Sequence, residues 1–375
     1  MIPLNVRVTQ TIYYVTPKLK CHSSQGQQQL FMACLRGRVK VVQTLLEKAE
    51  DVIDVNKVYR DYGCTPLFIA CLEGHVKVVE VLLDKARNTI DVSKGRIHLD
   101  LKTRSPPLLV ACQNGHARVV TLLLEKFRGT IDVNQTGMED GVTALLLACQ
   151  EGRAQVVEVL LDKARDTIDV NLAKKTDGAT PLFIACMNGH TKVVELLLDL
   201  ARDTINVNLT QRVGATPLFV ACQNGHASTV AVLLDKARDT IDVNRATNAG
   251  STPLFMACRF GHHDVVTVLL DKARDTIDVN LGLKDGSSPF FFACQEGRAK
   301  VVAVLLEDKN RKVLDINRKK TESGQTPFMV ACGKGRLDVV TLLLKQAGDA
   351  IDVNQVENTV IYYCLKLCID RCSIE

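Results

Sequence analysis

Apolar and polar positions along residues 180–208 come in two successive phases. Leu182, Ala185 and Cys186 share one face of a short helix. Val193, Val194, Leu196, Leu197 and Leu198 then lay a broad apolar stripe along a second helix, with polar residues opposite. A polar stretch follows, then Ile205, Val207, Asn208 and a glycine-containing turn. The whole succession recurs nine times, each copy marked by an Ala-Cys pair: Cys34, Cys71, Cys112, Cys149, Cys186, Cys222, Cys258, Cys294 and Cys332, at steps of 36 to 41 residues. A fixed period of this size predicts one elongated array of stacked units rather than two or three globular domains.

The ends of each helix are written in the sequence. Thr180 is placed to accept from the first free N–H groups, and Pro181 fits the first helical position, where no N–H is needed. Gly189 stops the helix, and glycine holds this place in all nine copies, from Gly37 to Gly335, which predicts a left-handed C-cap. The next residue is His75, His116, His190, His226 or His262 in five copies and Arg38, Arg153, Arg298 or Arg336 in the others. Arginine at four of the positions argues against catalysis or metal binding and for a residue of the turn that opens the second helix. Register begins at Gly26, which aligns with the turn glycines Gly63, Gly141, Gly178, Gly214, Gly250, Gly286 and Gly324. The first copy has Gln28-Gln29 in place of Thr-Pro, as expected of a worn terminal unit.

A turn followed by two antiparallel helices, opened by Thr-Pro-Leu-Phe-x-Ala, resembles the ankyrin repeat, whose signature is T-P-L-H-x-A. The resemblance covers residues 26–354 and implies an all-α, ankyrin-type helical solenoid with short hairpin or finger loops between helix pairs. Two departures stand out. The family's histidine is replaced by Phe31, Phe68, Leu109, Leu146, Phe183, Phe219, Phe255, Phe291 and Met329, predicting an apolar ladder in place of polar contacts. The segment after the second helix is also longer, with a recurring Asp-Lys-Ala-Arg-Asp motif at Asp162–Asp166, Asp235–Asp239 and Asp271–Asp275. That motif reads either as a docking stripe or as a ladder of solvated ion pairs worth little each. A closing Asn follows the marker cysteine by 22 residues in seven copies, Ser93 stands there after Cys71, and the copy of Cys294 takes 23 residues to reach Asn317. Residues 1–25 read as a flexible N-terminal extension and 355–375 as a capping helix or decayed half-repeat.

Composition narrows the function. A net charge of +5 is too mild for a whole-molecule nucleic-acid argument, and no apolar run approaches the roughly 18 residues of a membrane span. No phosphate-binding, nucleophile-elbow or zinc motif is present in the sequence. Nine of the fourteen cysteines are the repeat markers. Stacked helices lie roughly 8–10 Å apart, beyond the roughly 7 Å a disulfide spans, so the column predicts buried, reduced thiols and a cytoplasmic setting. Asn134 and Asn208 match the glycosylation acceptor but occupy the closing position, and are discounted. Cys364, Cys368 and Cys372 share one helix face and read as a capping helix's buried side, as lipidation sites, or as a soft-metal site.

The expectation is a non-enzymatic scaffold without cofactor, a monomer that binds another protein through the concave helix face and the finger loops, as the resemblance implies. Membrane attachment would require lipidation of the tail cysteines. Residues that vary between copies are the better candidates for selectivity. They are the pairs after the marker cysteine, with Arg259 and Phe260 at the centre, Met187, Asn188, Gln223, Asn224, Gln295 and Glu296 around them. The basic fingers add Lys94, Arg96, Lys102 and Arg104 from the insertion at 94–104, and Arg318, Lys319 and Lys320. A second reading uses those fingers to hold an acidic surface, anionic membrane or nucleic acid. For Phe260 the competing reading is packing beneath a neighbouring finger.

Overall fold

The computed structural model describes residues 25–48, 53–59, 61–97, 104–137, 140–307 and 313–351. The N-terminal extension up to residue 24, Lys102 and the C-terminal segment with Cys364, Cys368 and Cys372 lie outside the described residues. The chain divides into two units, residues 1–176 and 177–375, and each is built from the same helix pair.

In the first unit the pairs are α1 (Gln25–Leu35) with α2 (Val39–Lys48), α3 (Pro66–Leu72) with α4 (Val76–Lys85), α5 (Pro107–Asn114) with α6 (Ala117–Lys126), and α7 (Ala144–Gln150) with α8 (Ala154–Lys163). Two short strands, β1 (Arg96–Ile97) and β2 (Arg104–Ser105), pair antiparallel between α4 and α5, with Arg96 opposite Ser105 and Ile97 opposite Arg104. In the second unit the pairs are α9 (Pro181–Met187) with α10 (Thr191–Leu200), α11 (Pro217–Gln223) with α12 (Ala227–Lys236), α13 (Pro253–Phe260) with α14 (His263–Lys272), α15 (Pro289–Gln295) with α16 (Ala299–Leu306), and α17 (Pro327–Gly333) with α18 (Leu337–Ala347).

The caps follow the sequence. Thr65, Thr143, Thr180, Thr216, Thr252, Ser288 and Thr326 each accept from the N–H three residues on at 3.1–3.2 Å. The copy with Pro106 in the threonine's place has no side-chain cap. All nine stop glycines take φ between 65° and 84°. Gly26 differs from the turn glycines with which it aligns. It lies inside α1, which starts at Gln25, because Gln28-Gln29 supplies neither the capping hydroxyl nor the proline found at the start of most other first helices.

Packing is along the chain order. Within the second unit α11 sits between α9 and α13 and against its own α12, while α12 sits between α10 and α14. That enclosure corrects the expectation of a one-sided first helix: every residue from Pro217 to Cys222 is buried. The second helices keep one wet face, with Val193, Val194, Leu197 and Leu198 buried in α10. The ladder replacing the family's histidine is apolar and buried from Phe31 to Phe291, with Met329 half-buried at its end. Each buried aromatic there contributes about 1.5–3 kcal/mol.

Polar links join neighbouring pairs, and three kinds recur. The residue after the stop glycine reaches back over that of the preceding copy. His75, His116, His226 and His262 set Nε2 at 3.0–3.1 Å from the carbonyls of Leu35, Leu72, Met187 and Gln223. Arg153, Arg298 and Arg336 donate from Nε to the carbonyls of Gln113, Arg259 and Gln295 at 2.9–3.1 Å. A carbonyl only accepts, so the imidazoles carry their proton on Nε2. The residue is therefore more than a turn residue, and His and Arg interchange because both present an N–H at the same point.

The second link is the closing Asn. Asn56, Asn134, Asn208, Asn244 and Asn280 each donate from Nδ2 to a carbonyl of the next copy (Thr89, Thr167, Thr240, Thr276 and Val313) at 2.6–2.7 Å. Their Oδ1 atoms accept from the N–H two residues further on, at 2.7–2.9 Å. Both arms of the Asn134 and Asn208 amides are thus engaged within the array. The third link is ionic: Lys85–Glu47 and Lys163–Glu125 at 3.1 Å, Lys236–Asp199 and Lys272–Asp235 at 2.7 Å, and Lys126–Asp84. These pairs are largely exposed, and the charged motif is a ladder between copies.

The ten described cysteines are buried, Cys64 among them. Burial pushes the thiols of Cys34, Cys71, Cys112, Cys149, Cys222, Cys258 and Cys294 far above the ordinary range. The thiolate needed for attack or metal binding is suppressed.

Candidate partner-binding surface

The residue pair after each marker cysteine ends the first helix. At Leu35, Leu72, Gln113, Met187, Gln223, Arg259 and Gln295 the backbone carbonyl is held by the link from the next copy, so those side chains are presented from a fixed support. In the second unit Arg259 and Phe260 end α13, with Gly261 as left-handed cap. The Arg259 carbonyl receives Arg298 Nε at 3.1 Å. Phe260 is 44% exposed. Its ring lies 6.3 Å from that of His262.

The Arg259 guanidinium lies 5.9 Å from the Phe260 ring centroid and 5.5 Å from that of Phe292. Both distances are within reach of a cation–π attraction, about 0.5–1 kcal/mol at exposed sites. Phe292 is half-buried and packs edge-on against Phe255, centroids 4.9 Å apart. Phe292 was not among the sequence candidates. Its signal was present: two positions before the marker cysteine, every other copy carries Met, Ile, Val or Leu. Arg259 is therefore bracketed by two aromatic faces, and Phe255 and Phe291 below hold Phe292 in place.

The flanking candidates differ in freedom. Met187 is 37% exposed, but its carbonyl receives both His226 Nε2 at 3.1 Å and Asn224 Nδ2 at 2.8 Å. Asn224 is thus committed in part to the array. Asn188 is the exposed C-cap residue of α9, and Gln223 is half-buried with its carbonyl on His262. Gln295 donates to Glu296 Oε1 at 3.1 Å, which makes one polar unit of that pair.

Of the finger cations, Arg318 and Lys319 are exposed, whereas Lys320 is ion-paired with Asp285 at 3.0 Å. Burial works against the Asp285 carboxylate, yet the Ser287 N–H and the Lys320 ammonium outweigh it and hold its carboxyl below the usual range. Lys320 is accordingly part of the stitch between two fingers, where Thr321 N–H also donates to the Asp285 carbonyl at 2.8 Å. Lys94 is half-buried and its carbonyl accepts from Thr65 Oγ1 at 3.0 Å. Arg96 and Arg104 stand in β1 and β2 of the hairpin, in the first unit. The histidine pair carries separate contacts: His262 is linked to Gln223, and His263 Nε2 lies 3.3 Å from Asp264 Oδ1. Among the described residues no group of three His, Cys, Asp or Glu side chains is placed to hold a metal ion, and no helix is long and apolar enough to cross a membrane.

Comparison with known families gives one match. The family model described as ankyrin repeats (3 copies) matches residues 8–95, 92–174, 167–246, 200–282, 240–317 and 276–357. No curated protein matches the chain. The overlapping matches run over most of the length, and the helix pairs, caps and stop glycines supply the matching architecture. Ankyrin repeats generally mediate protein–protein interaction and are typically non-enzymatic. The chain belongs to the ankyrin-repeat family.

Proposed function

We propose that this chain is a non-enzymatic scaffold that binds another protein through the concave face of its first helices and its finger loops, as a cytoplasmic monomer organised as nine repeats over residues 26–354. One observation carries the reading: a half-exposed Phe260 and the cation of Arg259 stand together over Phe292 on an otherwise polar surface. Aromatic and arginine residues dominate the energetics of protein interfaces, and a rigid support lowers the ordering cost of binding. Gln223 and Asn224 on one side and Gln295 and Glu296 on the other supply a polar rim. The engagement of Lys320 with Asp285 leaves the acidic-surface reading with fewer available cations.

The test is Phe260→Ala, assayed against the protein recovered by pull-down with the purified chain at two salt concentrations. Partner affinity is expected to fall by about 2 kcal/mol or more, with the melting temperature nearly unchanged. Unchanged affinity would remove Phe260 from the interface. Capture that collapses steeply with salt would favour the basic fingers and an acidic surface.

A further inference from the structure

Five closing asparagines read the next copy through a carbonyl and an N–H two residues apart, as described above. At Ser93 that reading fails. Serine has no amide, and its hydroxyl donates instead to its own neighbour Asp91 Oδ1 at 2.6 Å, beside the Ser93 N–H at 2.9 Å on the same oxygen. Those bonds, the hydroxyl's first, hold the Asp91 carboxyl below its usual range against a slight desolvation. The groups an asparagine would have met are the Thr130 carbonyl and the Asp132 N–H. Among the described residues neither has a hydrogen-bond partner. A cavity of about 220 Å³ opens at this place, lined by Ser93, Thr130 and Asp132 together with Val92, Pro106 and Leu108.

We propose that the Thr130 carbonyl, the Asp132 N–H and this cavity form a receptor for a primary carboxamide side chain, Asn or Gln, on an extended segment of a partner protein. The chain itself displays the complement: the asparagine amide satisfies the same two backbone groups at five other joints. A cavity of this size suits one side chain, being below the roughly 300–1,000 Å³ of small-molecule sites. The wall continues beyond it. Ile131 and Asp132 also line a second cavity of about 320 Å³, with Leu124, Phe127, Val133 and Arg128. Phe127 stands where other copies bury an alanine, such as Ala237, and Gly129 where they carry Asp239. The equivalent space beside Arg238, Ile241 and Val243 is only about 40 Å³. The larger residue at 127 and the missing side chain at 129 coincide with room for an apolar side chain next to the carboxamide. The occupant is therefore a peptide with Asn or Gln beside an apolar residue. This rests on the chain's being a protein binder and is independent of the Arg259–Phe260 surface.

The experiment pans phage-displayed random peptides against the full chain and, in parallel, against Ser93→Asn, which puts the chain's own amide on Thr130 and Asp132. Peptides retained by the parent and lost by the variant are expected to share Asn or Gln next to an apolar residue. A synthetic version should bind the variant at least about tenfold more weakly. Replacing its amide by the acid should cost a similar factor on the unaltered chain, because a carboxylate cannot donate to a carbonyl. That amide-to-acid comparison decides the matter independently of how well the variant folds. Binders indifferent to Ser93→Asn, or no parent-specific binders, would overturn the proposal. So would parent-specific binders without Asn or Gln, which would give the cavity to an apolar side chain. Failure of this test leaves the pull-down and Phe260→Ala result intact, so the two readings fall separately.

Discussion

Two joints of the array share one design and differ in how much of it they keep. Between α9–α10 and α11–α12 all the links are closed: His226 on Met187, the Asn208 amide on Thr240 and Asp242, Lys236 on Asp199, and Thr216 capping α11. Between α3–α4 and α5–α6 His116 still reaches Leu72 and Lys126 still meets Asp84, but Ser93 replaces the asparagine and Pro106 the capping threonine. The buried apolar seam is present at both joints. The links are therefore separable, and the seam sets the stacking while the amide closes the outer edge. Where the amide is missing, Ser93, Thr130 and Asp132 line a cavity.

Removing links one at a time from the complete joint sharpens the contrast. The largest effect is expected at Gly189. A Cβ there would lie 2.6 Å from His226 Nδ1 on a backbone with φ of 69°. Gly189→Ala should cost about 2–3 kcal/mol, a left-handed alanine plus the displaced imidazole link. Gly335 has the same backbone conformation, φ 66°, and open space beside it. Gly335→Ala should therefore cost only about 1–2 kcal/mol. Equal losses in urea titrations of the two variants would show that the imidazole contributes nothing to the joint.

Asn208→Ala comes next. It strips the Thr240 carbonyl and the Asp242 N–H at once, and should lower stability by about 1–3 kcal/mol. Ser93→Ala, at the joint already without the amide, makes the natural control and should change much less. If the two alanine variants melted alike, the contrast between the joints would collapse. The smallest effect belongs to the ion pairs. Lys236→Ala removes a contact whose side chains are 30% and 47% exposed, and should cost less than about 1 kcal/mol, vanishing in molar salt.

Much of this fold could be read from residues whose meaning is local. A threonine three residues before an N–H, a proline at the first helical position and a glycine beyond the last turn act on their own neighbours, and Thr180, Pro181 and Gly189 do what their positions imply. The thiol column was also legible, because an Ala-Cys pair beside a helix stop fits a tight contact and little else. The links between copies were opaque for the opposite reason. His226 acts on a carbonyl 39 residues away and Asn208 on one 32 residues away. Periodicity marks such residues as recurrent and leaves their partners unstated. Gly26 misled because alignment with turn glycines carried no information about the missing cap beside it. At the candidate surface Arg259 and Phe260 stood out by type, whereas Phe292 was hidden inside an apolar run and distinguished only by being aromatic among aliphatic counterparts. The two exposed cations and one paired cation at 318–320 look alike in sequence. Only the position of Asp285 separates them.

The row of marker cysteines has a use beyond packing. A buried thiol without thiolate character reacts only when its own repeat opens. Every copy carries one buried cysteine, from Cys34 to Cys332, and in seven of them burial raises the thiol's pKa. The chain is thus fitted with a series of equivalent clocks, each started by the opening of a different segment. Timed alkylation followed by peptide mass analysis would read them in order, and would report where along the array unravelling begins.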